Sequence, residues 1–134
     1  MKSDKLPSPM GLYPMTRRAG NLLFVSGMGP REPGTDQIPG LVTDKHGNYL
    51  SFDFEAQVRS VFRNVRVALE EAGSSWENIV DVTVFLVNMR RDFDTFNRLY
   101  AEYFKDNQPC RTTVEVAALP SAIAIELKVI ATVS

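Results

Sequence analysis

The sequence predicts an α+β fold, a mixed β-sheet with two helices packed on one face. Two stretches with apolar residues at helical spacing, Phe54–Ala72 and Phe93–Phe104, are separated by the strand-like run Ile79–Val87. Strand-like runs also precede the first helix and fill the last quarter of the chain, giving the order β-β-(β)-α-β-α-β-β. Two helices cover only one side of a sheet of this size. The other side carries Val and Ala as well as charge, and self-association is the expected way of burying it.

Taken in order, residues 1–10 are polar, with prolines at 7 and 9, and are expected to lie loosely along the surface. Tyr13–Arg18 reads as a first strand, confined by Pro14 to an edge or a strand start. Ala19-Gly20-Asn21 is a turn, and Leu22–Ser26 is a strand that leaves through Gly27-Met28-Gly29-Pro30-Arg31. Residues 32–50 hold three more glycines and two more prolines, and form a long excursion with one short strand at Leu41–Thr43. A loop of that length in a small domain is usually functional or interfacial.

Asp53 is the expected N-cap of the first helix, whose stripe Val58, Val61, Phe62, Val65, Leu69 and Ala72 stops at Gly73. In the strand Ile79–Val87, the residues Val80, Val82, Val84 and Leu86 share one side. Asp92 is expected to cap the second helix, with Phe93, Phe96, Tyr100, Tyr103 and Phe104 facing inward. Phe24, Phe62, Phe85 and Trp76 read as core or helix-entry residues. The runs Thr112–Val116 and Ala122–Val133 flank a break at Ala118-Leu119-Pro120-Ser121 and read as a closing hairpin.

A chain of 134 residues, 44% hydrophobic and 23% charged, makes one domain (1–134) with a real core. A net charge of −1 leaves no excess of Lys and Arg to follow phosphates, so nucleic acid is not an expected partner. The single cysteine, Cys110, excludes an intrachain disulfide and fits a reducing compartment. No apolar run reaches the ~18–20 residues a membrane helix needs, and the first residues lack the apolar core of a signal peptide. A cytoplasmic location without membrane partners is the expectation. His46 stands alone in a turn with no ligand cluster around it, so no metal is expected. Gly27 and Gly29 lack the third glycine and the following helix of a dinucleotide site.

The chemistry concentrates in the last quarter. Arg111, Thr113 and Glu115 share one strand face. In the final strand Ile123, Ile125, Leu127 and Val129 share one face, and Ala122, Ala124, Glu126 and Lys128 the other. Glu126 therefore sits mid-strand beside small neighbours, with Arg111 opening the partner strand; Glu115 is placed to pair with Lys128. Arg111 and Glu126 are either a structural ion pair or a site that grips an anion and works on a water. The residues alone leave both open.

The segments Gly20–Gly27, Val82–Leu86, Phe96–Phe104 and Arg111–Val116 through Leu119-Pro120 resemble the RidA/YjgF family, over roughly residues 11–134. The resemblance implies a chorismate-mutase-like α+β fold, a homotrimer with sites in clefts between subunits, and hydrolysis of enamines or imines to a keto acid and ammonia. It implies no metal and no organic cofactor. Carried over residue by residue, the arginine that grips the substrate carboxylate is Arg111, and the glutamate associated with the attacking water is Glu126. The site tyrosine falls on Tyr13, the cleft asparagine on Asn97 and the strand-end serine on Ser26. Thr113 stands where the family often has a cysteine, and serves if the backbone there is what matters.

The loop Gly27-Met28-Gly29-Pro30-Arg31 departs from the common Gly-Gln-Ile-Pro form. With Arg31 and the Arg17-Arg18 pair, it is similar to the 2-aminomuconate deaminases of aromatic breakdown, which release 4-oxalocrotonate and ammonia. Such a substrate carries a second carboxylate, for which Arg31 is the first choice and Arg17 or Arg18 the next. Two alternatives stand beside this reading. One is a general deaminase that clears reactive 2-imino acids; the other is a trimeric carboxylate-binding or chaperone-like protein without turnover. A ribonuclease role fits poorly with a neutral chain that has no basic stripe and no His–His or His–Lys pair.

Overall fold

The computed structural model describes residues 5–34, 37–46 and 48–134. Its elements are β1 (Thr16–Ala19), β2 (Leu22–Met28), β3 (Val42–Thr43), β4 (Tyr49–Ser51), α1 (Phe54–Glu71), β5 (Ile79–Leu86), α2 (Met89–Tyr103), β6 (Cys110–Glu115) and β7 (Ile125–Thr132). Five strands form a mixed sheet in the order β1-β2-β7-β5-β6, and β3 pairs with β4 in a small separate ribbon. The two helices pack on the large sheet, as the hydrophobic pattern predicts. The short strand of the long loop thus has a partner that the sequence pattern did not reveal.

Alternation along the strands divides the sheet into two unlike faces. Leu23, Val25, Val82, Val84, Leu127 and Val129 lie under the helices and are at most 2% exposed. On the opposite face Leu22, Phe24 and Val114 are 40%, 36% and 37% exposed. Phe85 lies on that face as well, half-buried, as the register partner of Glu126. Phe62 and Trp76 are core residues as expected; Phe24 and Phe85 belong instead to the open face. Val80 also leaves the predicted row, because a register shift between Ile79 and Asp81 turns it out to 42% exposure.

Asp53 caps α1 by accepting from the Ala56 amide at 3.2 Å, and Gly73, with φ +85°, takes the chain out of the helix. The predicted stripe Val58, Val61, Phe62, Val65 and Leu69 is buried. Phe62 then stands edge-on to Trp76, Phe96, Tyr103 and Phe104 and ties α1 to α2. The second helix begins earlier than the sequence suggested. Asn88 is its cap, accepting from the Arg91 amide at 3.0 Å, and the Glu115 carboxylate takes the Met89 amide at 2.8 Å. Asp92 lies a turn inside, 3% exposed and held by the Arg91 guanidinium. Starting at Asn88 lets the helix pack Met89 against the core, which a start at Asp92 forgoes. Glu115 is thus committed to α2 and not to Lys128.

The closing hairpin does not form. β6 pairs in parallel with β5, and β7 pairs antiparallel with the other edge of β5. The chain crosses the end of β5 between them, where the Val116 amide donates to Leu86 and the Val87 amide to Ala124. β5 thus has hydrogen-bonded neighbours at both edges, with its apolar row Val82, Val84 and Leu86 buried under the helices.

The described part of the N-terminal segment is held down. Leu6 is 4% exposed within the core, and Arg63 and Arg31 donate to the Lys5 and Ser8 carbonyls. Residues 1–4 lie outside the described residues.

Candidate functional site

Arg111 enters the sheet opposite Val82 and so points to the helix-covered side, beneath α2. Its Nε donates to Thr113 Oγ1 at 2.8 Å and its Nη2 to Asn97 Oδ1 at 2.7 Å. Residues 93, 96, 97 and 100 share one face of α2. That face sets three aromatic rings against the guanidinium, with centroids at 4.7 Å (Tyr100), 5.1 Å (Phe96) and 5.8 Å (Phe93). No described carboxylate pairs with Arg111. Burial pulls its pKa below the ordinary guanidinium value, with Tyr100 opposing. The cation is thus fixed by two neutral acceptors and three ring faces, with no acid among the described residues paired to its charge.

Glu126 lies on the other face. Its register partner is Phe85, one position out of phase with the buried row, and its side chain is half-buried. Burial alone raises its pKa above the usual carboxylate value, because the charged form loses water without gaining a partner. Gly27 makes room for it. A Cβ at that position would lie 2.5 Å from Glu126 Oε2 and 2.9 Å from its carboxyl carbon. The register of β2 against β7 shifts just there, between Val25 and Met28. Ser26 Oγ donates to the Pro14 carbonyl at 2.7 Å and its amide to Met15, so the Tyr13 segment is tied to the same strand end. Tyr13 is 44% exposed, its hydroxyl accepting from the Met10 amide.

The predicted site residues therefore fall into three places within one chain. Arg111, Asn97 and Thr113 come together at the β6 edge under α2. Glu126 and Ser26, with the Tyr13 segment attached, gather beside Gly27 where β7 meets β2 on the open face. Two strand positions and the thickness of the sheet separate the groups, and the two side chains form no ion pair. Arg31 belongs to a third place: it donates to Ser8, and its own carbonyl, like that of Gly29, accepts from buried Asn64 on α1. The α2 rings around Arg111 had a sequence signal, helical spacing, that reads equally well as plain core. The fit of Gly27 to Glu126 had none, since it joins two distant strands.

Among the described residues no cluster of three or more His, Cys, Asp and Glu is placed to hold a metal, and no helix is long and apolar enough to cross a membrane.

Comparison with known proteins places this geometry. The family model for Endoribonuclease L-PSP matches residues 4–133. A RutC family protein of Pyrococcus abyssi is 36% identical over 129 residues, covering 96% of this chain and 92% of that one. The chloroplastic Reactive Intermediate Deaminase A of Arabidopsis thaliana is 33% identical over 132 residues, covering 98% of this chain and 64% of that one. The crystal structure of E. coli TdcF with bound serine superposes with a TM-score of 0.84 at 30% identity, covering 99% of this chain and 97% of that one. The chain thus belongs to the Endoribonuclease L-PSP family, whose members also carry the RutC and reactive intermediate deaminase names.

Proposed function

We propose that this protein is a deaminase that hydrolyses enamines or imines of small carboxylic acids to the keto acid and ammonia. The Arg111 geometry carries the reading: a half-buried guanidinium, oriented by Thr113 and Asn97, with no acid paired to it among the described residues. Such a fork is ready for an external carboxylate, which it binds through two parallel hydrogen bonds. The name of the Arabidopsis relative supports deamination, and the serine bound to TdcF supports a small carboxylate as ligand.

The chemistry asks little of the protein. A proton delivered to the enamine β-carbon gives the imine, water adds its oxygen to the amino-bearing carbon, and a proton passes from that oxygen to the nitrogen. The carbinolamine then expels ammonia as the C–N bond breaks and the C=O forms. Glu126 is suited to orient the water and carry the proton, since a carboxyl whose pKa is raised by burial gives and takes protons nearer neutrality. Holding the carboxylate and the water in reach supplies much of the rate, because the imine carbon is already electrophilic.

Glu126 and Arg111 of one chain cannot serve one substrate, because they lie on opposite faces of the sheet. We place the working site between copies, in a homotrimer whose subunits bury the face of Phe24, Phe85 and Val114 and bring Glu126 of one to Arg111 of the next. The exposed apolar side chains of that face support the assignment.

The narrower reading takes 2-aminomuconate as the substrate, with Arg31 on the second carboxylate. It asks Arg31 to exchange its contact with Ser8 for the ligand. Ammonia release from freshly generated 2-aminomuconate, set against a 2-imino acid made in situ by an amino-acid oxidase, separates the cases. Fast turnover of the dicarboxylate alone supports the narrow substrate. Comparable rates leave the general imine deaminase, and turnover of neither leaves a carboxylate-binding protein.

A further inference from the structure

We propose that Tyr100 is a positioning residue for Arg111, fixing the plane of the guanidinium through its ring face and not through its hydroxyl. The inference rests on Arg111 as the carboxylate grip. Two hydrogen bonds, to Thr113 Oγ1 and Asn97 Oδ1, hold the guanidinium at two points. A flat group held at two points still swings about the line between them. A ring lying against it removes that freedom, and Tyr100 is the nearest of the three, at 4.7 Å.

Tyr100 is itself immobilised. Its ring stacks on Phe104 at 4.3 Å and 27°, and Phe104 stacks in turn on Trp76 at 4.6 Å and 28°. The guanidinium is therefore the outer member of a column Arg111–Tyr100–Phe104–Trp76 that runs from the sheet edge into the core. Trp76 is anchored at the far end, its indole N–H donating to the Tyr103 carbonyl at 2.9 Å. The column fixes the fork before any ligand arrives, so a bound carboxylate bears less of the ordering cost.

The hydroxyl does something different. Tyr100 Oη is buried and has no hydrogen-bond partner. A phenol in that state weakens the fold, so the stack does not depend on it. Ring and hydroxyl can thus be separated by substitution.

The test is titration calorimetry of the full chain with pyruvate as the 2-keto acid probe. Tyr100→Phe keeps the ring, and its Kd is expected to stay within about two-fold of the wild type. Tyr100→Leu keeps apolar bulk but loses the ring face, and its Kd is expected to rise by between about two-fold and about thirty-fold, the range of a cation–π contact. In turnover, Tyr100→Leu raises KM with kcat kept, whereas mere damage to the fold lowers the active fraction at constant KM. Unchanged affinity in Tyr100→Leu, or equal loss in Tyr100→Phe, overturns the proposal. Binding retained by Arg111→Ala instead refutes the Arg111 reading itself. Should Tyr100→Leu not fold, the wild type still decides by NMR. The Arg111 Nε–H, identified by its loss in Arg111→Lys, is expected upfield under the Tyr100 ring current and unmoved in Tyr100→Phe. A random-coil shift overturns the proposal.

Discussion

Replacing Arg111 by methionine separates a binding role from a structural one, because the two predict opposite balances of stability and activity. Methionine keeps a flexible chain of similar length and removes the charge. Against stability, the substitution deletes two hydrogen bonds from a charged donor, at 2.8 Å to Thr113 and 2.7 Å to Asn97. Each such bond is worth about 1.5–3 kcal/mol when both partners are sequestered, and less at a half-exposed edge where water replaces the lost donor. In favour of stability, the folded chain no longer holds a partly desolvated cation without an acid. That relief is several kcal/mol for a fully buried ion and is likewise discounted here. The terms oppose each other, and the expected change is within about 1 kcal/mol, a shift of roughly 5 °C or less in melting temperature. Activity has no compensation. Losing two charge-assisted bonds to a substrate carboxylate costs about 3–6 kcal/mol, so kcat/KM falls by at least about a hundred-fold. Melting by circular dichroism and ammonia release on the same preparation read both quantities. A variant that melts far below the wild type while its folded fraction keeps full kcat/KM refutes the assignment, and makes Arg111 a structural residue.

Gly27→Ala sets a methyl where the Glu126 carboxylate lies. A flexible chain end can swing away, so melting is expected to change by only a few degrees while kcat falls at least about ten-fold, if a displaced base costs the usual fraction of general catalysis; full kcat sinks the idea that Glu126 works from this position. Phe24→Asp puts a charge on the open face, and sedimentation is expected to show monomers without activity. An active monomer rules out a site shared between copies. For Glu126→Gln, the pH dependence has a definite sign. Burial raises the folded pKa, so the folded wild type binds the proton more tightly than the unfolded chain, and its stability declines as pH rises through the folded value. The glutamine variant lacks that decline. Its advantage in melting temperature should therefore be largest at neutral pH and vanish below the ordinary carboxylate range. An advantage independent of pH shows that the carboxyl is not desolvated.

Much of the fold was legible in local pattern. The α1 stripe, its Asp53 cap and Gly73 stop, and the alternation of β7 are all read over a few residues, and the structure follows them. Even so, Asn88 caps α2 where Asp92 was the expected cap, and Met89 packs against the core. The candidate site residues came through the family resemblance, and of them the structure brings Arg111, Asn97 and Thr113 together and sets Glu126 and Ser26 at a second place, with Arg31 apart from both.

What the sequence by itself determined was which residues carry charge, which face of each element is apolar, and that two helices leave one sheet face uncovered. Only the tertiary structure decided that β5 lies between β6 and β7, and therefore that Arg111 and Glu126 stand on opposite faces and not across a hairpin. Strand order is a competition among long-range pairings between segments far apart along the chain. No local period records the result. The same holds for the column of rings behind Arg111 and for the space Gly27 leaves to Glu126, since both depend on distances between residues far apart along the chain.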